Sequence, residues 1–326
     1  MEAFFSCPTI FIIPVIMPDD YLETKGELTG DLNPKKKKSK RHWWQIVLDV
    51  VLVAAFVGVA AFSINVVYLS VNYGDAFFVD GASMYPTLNK DGLVRQKDGS
   101  YKAITWKSSE QGDGDFVDYG WARMGEKGLS DLGRFDIAIT YYPSDMVLQE
   151  DGSYLPKKGA SLKIKRVIGL PGETVTICPD LDENGNIATP WGTTVIQDSA
   201  GDVYTYSSYY SFSDFEDIDG ETYRSKVTLA NQNVGPITLG EDEYYVCGDN
   251  RAGHYSSDSR VIGAIPRYCL QGKAYLVTSL RKLSKNEGGT FNPVFTWNKN
   301  RPFWNYYYLD SAPFEKTLTK KETSHA

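Results

Sequence analysis

VVLVAAFVGVAAFSINVVYLSVNYG, Val50 to Gly74, holds no Asp, Glu, Lys, Arg or His. A spanning helix needs about 20 consecutive, mostly apolar residues, because ~30 Å of hydrocarbon is crossed at ~1.5 Å per residue. The run is long enough to span with some tilt. Asp49 precedes it and Asp75 closes it. Trp43, Trp44 and Tyr68 are aromatics of the kind that anchor at a membrane interface. The competing reading is a core helix of a soluble domain, and the length and freedom from charge favour the span. Immediately upstream lies Lys35-Lys36-Lys37-Lys38-Ser39-Lys40-Arg41. By the positive-inside rule this run places the N-terminus in the cytoplasm and everything after Asp75 outside. A second apolar stretch, within Met1 to Met17, is shorter and interrupted by Pro8 and Pro14. It has no basic leader and receives no assignment.

Beyond the span the pattern changes. Short runs rich in Val, Ile, Thr and Tyr alternate with clusters of Gly, Pro, Asp and Asn: Asp136 to Tyr142, Ser161 to Leu170, Thr174 to Cys178, Asp202 to Tyr206, Lys226 to Leu229, Glu243 to Cys247 and Lys273 to Leu280. These are strand signals, and no helix-period segment competes with them. A mainly β domain is expected. Two stretches read as insertions, a polar glycine-rich one near 95–133 and an acidic one near 179–240. The domain plan is then a cytoplasmic tail (1–42), a transmembrane helix (43–74), an extracytoplasmic β-rich domain (75–285) and an aromatic-rich C-terminal tail (286–326). Tail aromatics such as Phe291, Phe295, Tyr307 and Tyr308 are expected on the β core, with the membrane interface as the alternative.

The formal net charge is -7. That counts against nucleic acid as a partner, since phosphate contacts need a surplus of Lys and Arg. Cys7, Cys178, Cys247 and Cys269 have no CxxC spacing. No zinc site is expected. With three histidines in the chain, a Ser-His-Asp arrangement starts poor in candidates.

Two short segments carry chemistry. Gly81-Ala82-Ser83-Met84-Tyr85-Pro86-Thr87-Leu88 offers a serine, and Lys163-Ile164-Lys165-Arg166-Val167-Ile168-Gly169-Leu170-Pro171-Gly172-Glu173 offers a lysine. A serine hydroxyl attacks only when a base takes its proton. A lysine can be that base only when neutral, and its ordinary pKa is about 10.4. Burial can bring it down to roughly 5–6. Lys165 has apolar flanks, and strand alternation puts Lys163, Lys165 and Val167 on one face. Read singly, Lys165 is a surface charge on a strand and the serine segment is a turn. A third segment changes this. Tyr245-Val246-Cys247-Gly248-Asp249-Asn250-Arg251, followed by Ser256-Ser257-Asp258-Ser259-Arg260-Val261-Ile262-Gly263, reads as an ordered loop whose acids and bases pair locally.

Together these segments resemble the type I signal peptidases, the Ser-Lys proteases that remove signal peptides from exported proteins. Gly81 to Leu88 resembles the nucleophile motif. Arg134-Phe135-Asp136-Ile137 resembles the Arg-Gly-Asp-Ile strand, with Phe135 in place of glycine. Lys163 to Glu173 and Gly248 to Gly263 resemble the base and loop motifs. The resemblance implies a signal-peptidase-type all-β catalytic domain behind one membrane helix, with no metal and no cofactor. It implies Ser83 as nucleophile and Lys165 as general base. Ser256 resembles the serine that orients the lysine, Asp258 and Arg260 a supporting ion pair, and Asp249 the partner of Arg166. Met84 and Ile164 resemble the walls of small substrate pockets, which in the family select residues such as Ala-x-Ala before the cut. The oxyanion is expected on the N–H of Ser83. Where some members add a hydroxyl two residues earlier, this chain has Gly81. Four residues, Ala252-Gly253-His254-Tyr255, lengthen the spacer before Ser256, and His254 is expected to be a loop residue.

The expected function is therefore a single-pass serine endopeptidase that cleaves preprotein signal peptides at the outer face of the cytoplasmic membrane. Its expected partners are signal peptides, the lipid bilayer and the secretion translocon. Two rivals remain at this level. One is a self-cleaving Ser-Lys protease of the repressor type, against which the span and acidic balance count. The other is an inactive membrane-anchored β scaffold, against which the intact Ser83 and Lys165 count.

Overall fold

The computed structural model describes residues 42–215, 222–253, 255–296 and 306–321. The polybasic run, the Met1 to Met17 stretch, Cys7, His254, Trp297, Phe303 and Trp304 lie outside these residues. The chain divides into two units, Met1–Gly58 and Val59–Ala326. Helix α1 (Trp43–Tyr73) supplies the described part of the first unit and opens the second. Its 31 residues extend about 46 Å at ~1.5 Å each. None of its side chains is buried against protein, and it is long and apolar enough to cross a membrane. A helix apolar all round belongs in lipid or under protein cover.

The strands are β1 (Asp75–Phe78), β2 (Leu93–Arg95), β3 (Tyr101–Ala103), β4 (Phe116–Met124), β5 (Ile137–Thr140), β6 (Met146–Leu148), β7 (Tyr154–Pro156), β8 (Lys163–Gly169) and β9 (Thr174–Cys178). They continue with β10 (Thr193–Gln197), β11 (Val203–Tyr206), β12 (Val234–Thr238), β13 (Glu243–Cys247), β14 (Ile265–Pro266), β15 (Leu270–Lys285), β16 (Phe291–Val294), β17 (Tyr307–Tyr308) and β18 (Leu318–Lys321). Among the described residues, the larger sheet runs β14-β13-β8-β5-β15-β4-β2-β3, with β1 on β4 and with β16 and β17 on β15. A second sheet runs β12-β9-β10-β11-β18. The fold is mainly β behind one long apolar N-terminal helix.

Apolar alternation explains the layering. In β9, Val175 and Ile177 turn inward while Thr174 and Thr176 stay half-covered. They meet Ile168 of β8 and Tyr245 of β13, with Trp191, Ile196, Tyr206 and Phe314 completing a core between the sheets. On the other face, Val167 packs with Ala138, Val246 and Ile265. The tail lies on this body: Leu309 and Phe314 are buried, and the Tyr307 hydroxyl donates to Asp118 Oδ2 at 2.8 Å. Phe295, Tyr306 and Tyr308 remain exposed.

The stretches read as insertions do structural work. Stretch 95–133 contains β4, which pairs with β15 from Met124 opposite Gly272 to Phe116 opposite Lys282. Stretch 179–240 contains β10, β11 and β12. Lys226 to Leu229 forms no strand. A 3-10 turn (Tyr223–Lys226) and a short helix (Leu229–Gln232) stand there instead, because Val227 turns in against Phe215 and Tyr223. Trp106 from the first stretch and Phe215, Tyr223 and Val227 from the second enclose Ala82 and Tyr85. Cys178, Cys247 and Cys269 are free thiols.

The end of α1 is fastened. Arg123 of β4 donates through Nε to the Asn72 carbonyl at 2.8 Å, and its guanidinium lies over the rings of Tyr73 and Tyr275. A cation is favourable at a helix C-terminus, where unpaired carbonyls carry partial negative charge. Gly74 alone then separates α1 from β1.

Candidate active site

Lys165 is central on β8. Its register partner on β5 is Ala138, and the neighbouring Arg166 faces Cys247 of β13. Both strand edges are therefore occupied, and the lysine is 3% exposed. Nζ lies 2.9 Å from Ser83 Oγ and 3.1 Å from the Ile164 carbonyl. Burial lowers its pKa to about 8. Asp258 pulls in the opposite sense, and the charges of Lys163 and Arg260 add to the lowering. A base so shifted is substantially neutral just above pH 8, whereas an ordinary lysine is not.

Ser83 comes from a loop with no ladder. Its geometry is set by side-chain amides that grip the backbone. Asn250 N donates to the Ser83 carbonyl at 3.1 Å, and Asn250 Nδ2 donates to Ala82 O at 3.0 Å. Asn89 Nδ2 donates to the carbonyls of Val79 and Gly81, each at 3.1 Å. Gln111 accepts from Gly81 N through Oε1 at 2.6 Å, and its own N–H donates to Asp80 Oδ1 at 2.6 Å. Gly81 has φ +87, which glycine adopts without penalty. Gly248 is required by contact: a Cβ there would stand 2.4 Å from Ser83 O and 2.2 Å from Ser256 Oγ.

Two buried ion pairs frame the dyad. Arg166 Nε and Nη2 reach Asp249 Oδ1 and Oδ2 at 2.8 and 2.6 Å. Arg166 Nη1 also donates to Phe135 O at 2.7 Å, and the guanidinium stacks 3.8 Å from the Phe314 ring. This pair joins β8 to the loop that holds Ser83. Breaking such a pair by removing one partner costs about 3–5 kcal/mol, because it strands a buried charge. In the second pair, Arg260 Nε and Nη2 each donate to Asp258 at 2.8 Å. Burial alone would raise Asp258, but Arg260 and Arg251 together with the Gly248 N–H hold it well below the usual carboxylate range. Ser256 Oγ donates to Asp258 Oδ2 at 2.8 Å, so its hydroxyl is engaged with Asp258 rather than with Lys165.

Met84 is fully buried with Val79, Leu88, Ile137 and Ile139, and Ile164 packs against the same cluster. Ser83, Lys165, Arg166, Asp249, Ser256, Asp258 and Arg260 are thus linked through hydrogen bonds in one neighbourhood, with Met84 and Ile164 packed together beside it. Gln111 and Asn89 were not singled out. Neither stands in a recognisable motif, and their role depends on partners far along the chain. Phe135 also behaves unexpectedly. It has φ +67, a conformation glycine tolerates best, and its buried ring stands 4.9 Å from Tyr206 and 5.9 Å from Phe314.

This arrangement can carry acyl transfer: a hydroxyl nucleophile, a buried amine within hydrogen-bond distance, and a rigid backbone around both. A family model described as signal peptidase, peptidase S26, matches residues 44–279. Among solved structures, a signal peptidase I from Enterococcus faecalis V583 matches at 24% identity, covering 44% of this chain and 96% of that one, with a TM-score of 0.27. No curated protein matches the chain.

Proposed function

The chain belongs to the signal peptidase family, peptidase S26, and on that premise we propose that it is a membrane-anchored endopeptidase using Ser83 as nucleophile and Lys165 as general base. The observation that carries this reading is the 2.9 Å approach of Lys165 Nζ to Ser83 Oγ inside a buried, desolvated setting.

The neutral amine of Lys165 accepts the Ser83 proton as Oγ attacks the carbonyl carbon of the scissile bond. The carbonyl oxygen takes up the negative charge. No described residue accepts from the Ser83 N–H, so this donor is available to the oxyanion. Gly81 contributes no hydroxyl there. The lysine ammonium next gives its proton to the leaving amine, which departs as the new N-terminus of the mature chain. Water then attacks the acyl-enzyme, with Lys165 again taking the proton. Met84 and Ile164 bound the region that receives small residues before the cut. Cleavage after Ala-x-Ala is the proposed specificity.

In this reading α1 spans the cytoplasmic membrane, the Lys35 to Arg41 run stays in the cytoplasm, and the β domain works outside. A preprotein's own apolar segment in the same bilayer brings its cleavage site to Ser83 at high effective concentration. Delivery by the secretion translocon fits the same geometry.

The test is cleavage of an Ala-x-Ala preprotein by purified full-length protein, with the cut site mapped. Ser83→Ala and Lys165→Ala should each lower turnover by at least about 10⁴-fold, as for dyad members that act as a unit. Lys165→Arg should be equally inactive, since a guanidinium is not deprotonated in proteins. Full activity in any of the three would remove the dyad.

A further inference from the structure

Among the described residues, three arginines are buried behind the loop that holds Ser83, and only two of them have carboxylate partners. Arg166 is closed by Asp249 and Arg260 by Asp258. Asp258 is saturated, since it accepts from Arg260 Nε, Nη2 and N, from Gly248 N and from Ser256 Oγ. The third, Arg251, is 1% exposed. Its backbone is well placed: its N–H donates to Tyr223 Oη, and its carbonyl accepts from Asn231 Nδ2 and Arg260 Nη1. Its guanidinium lies 4.5 Å from the Trp191 ring, whose Nε1 is fixed to Asp249 O at 2.9 Å. Yet among the described residues Nε, Nη1 and Nη2 reach no acceptor.

Two buried hydroxyls share this condition. Tyr206 Oη and Tyr245 Oη are enclosed in the core that also holds Trp191, and neither has a protein partner. Burial raises the Tyr206 hydroxyl to about 12, and the charge of Arg251 opposes that rise. The same opposition acts on Tyr245 and on the Cys247 thiol. Arg251 lies over Trp191, which shares one core with both tyrosines, and its charge reaches both hydroxyls. A guanidinium has donors and no acceptor. An unpaired buried charge is costly unless a counter-charge or hydrogen bonds answer it. What answers a surplus of one positive charge among donors is a small acceptor of charge minus one.

We propose that Arg251, Tyr206 and Tyr245 form a buried site for one monovalent halide-class anion. The anion neutralises the third arginine and steadies the Asp249 to Arg251 turn, in which Asn250 holds the backbone of Ser83.

The full chain in detergent micelles is melted in sodium chloride and in sodium gluconate at equal ionic strength. The melting temperature should rise with chloride and saturate, bromide should replace chloride, and gluconate should have no such effect. Tyr245→Phe should raise the half-saturating chloride concentration about tenfold, the loss expected for one hydrogen bond to a charged partner. Arg251→Met should abolish the response. If that variant does not fold, Tyr206→Phe and Tyr245→Phe carry the same test. Crystals grown in bromide should show an anomalous peak within hydrogen-bond distance of the Arg251 guanidinium. Identical melting in both salts, or water alone at that position, overturns the proposal. Neither readout depends on the Ser83–Lys165 assignment.

Discussion

Lys165 and Ser83 meet at one hydrogen bond from two regions built on different principles. The lysine stands on β8, in the interior of the larger sheet, with β5 on one side and β13 on the other. Ladder bonds fix its position, and burial sets its proton affinity. The serine stands on a loop whose peptide groups are tied to Asn89, Gln111 and Asn250. Here nothing is tuned by burial, and everything depends on aim. A base can be prepared by removing water from around it, whereas a nucleophile and its oxyanion donor need an exact direction, which only specific hydrogen bonds supply.

The lysine side is broken most strongly by protons. With Lys165 at about 8, kcat/KM should fall about tenfold for each pH unit below that value. Between pH 8 and pH 6 the loss should be about 50-fold, and a profile flat across that range would contradict Lys165 as base. The same shift acts on stability. Because the folded value is depressed, the unfolded chain binds more protons between about 8 and 10.5. Stability contributed by this group therefore rises with pH through that window and is lacking below it. Urea titrations of wild type and Lys165→Met at pH 7 should show the variant as the more stable protein.

The serine side is probed by Gln111→Ala, which frees the Gly81 N–H. The removed bond corresponds to about 1 kcal/mol or somewhat more. kcat should fall about tenfold with KM little changed, because the aim is needed in the transition state. A change confined to KM would move Gln111 from aiming the loop to binding substrate. Away from both regions, Phe135→Gly should have the least effect on activity. It relieves about 1 kcal/mol or more of backbone strain but removes a buried ring valued at about 3–5 kcal/mol. A net stability loss of about 2 kcal/mol in denaturant titration is expected, with the dyad's pH profile unchanged.

How legible each region was follows from the same contrast. β8, β9 and β13 could be read because their apolar runs are bounded by Gly, Pro and Asp. β4 could not. Its sequence FVDYGWARM contains residues that look wrong for a central strand. Each has a distant reason. Asp118 accepts from Asn89 N and Tyr307 Oη. Gly120 sits where a Cβ would come 2.3 Å from the Leu276 carbonyl. Arg123 serves the end of α1. Lys226 to Leu229 failed in the opposite way: a β-like composition was overridden by the aromatic packing around Val227. The segments that bring Ser83 to Lys165 and both ion pairs were legible through short motifs. The amides that hold Ser83 were not, since a lone Asn or Gln in a loop carries no local signature.

The junction at Arg123 has a mechanical meaning. Slack between an anchor and its cargo lets the cargo wander. With one residue between α1 and β1, and the last carbonyls of the helix clamped to β4, there is little slack to give. Tilting this last part of the helix tilts the sheet that carries Lys165. Under the proposed function such a joint acts as a ruler, holding Ser83 and Lys165 at a fixed distance from the helix end so that distance, as well as side-chain size, decides which peptide bond is reached.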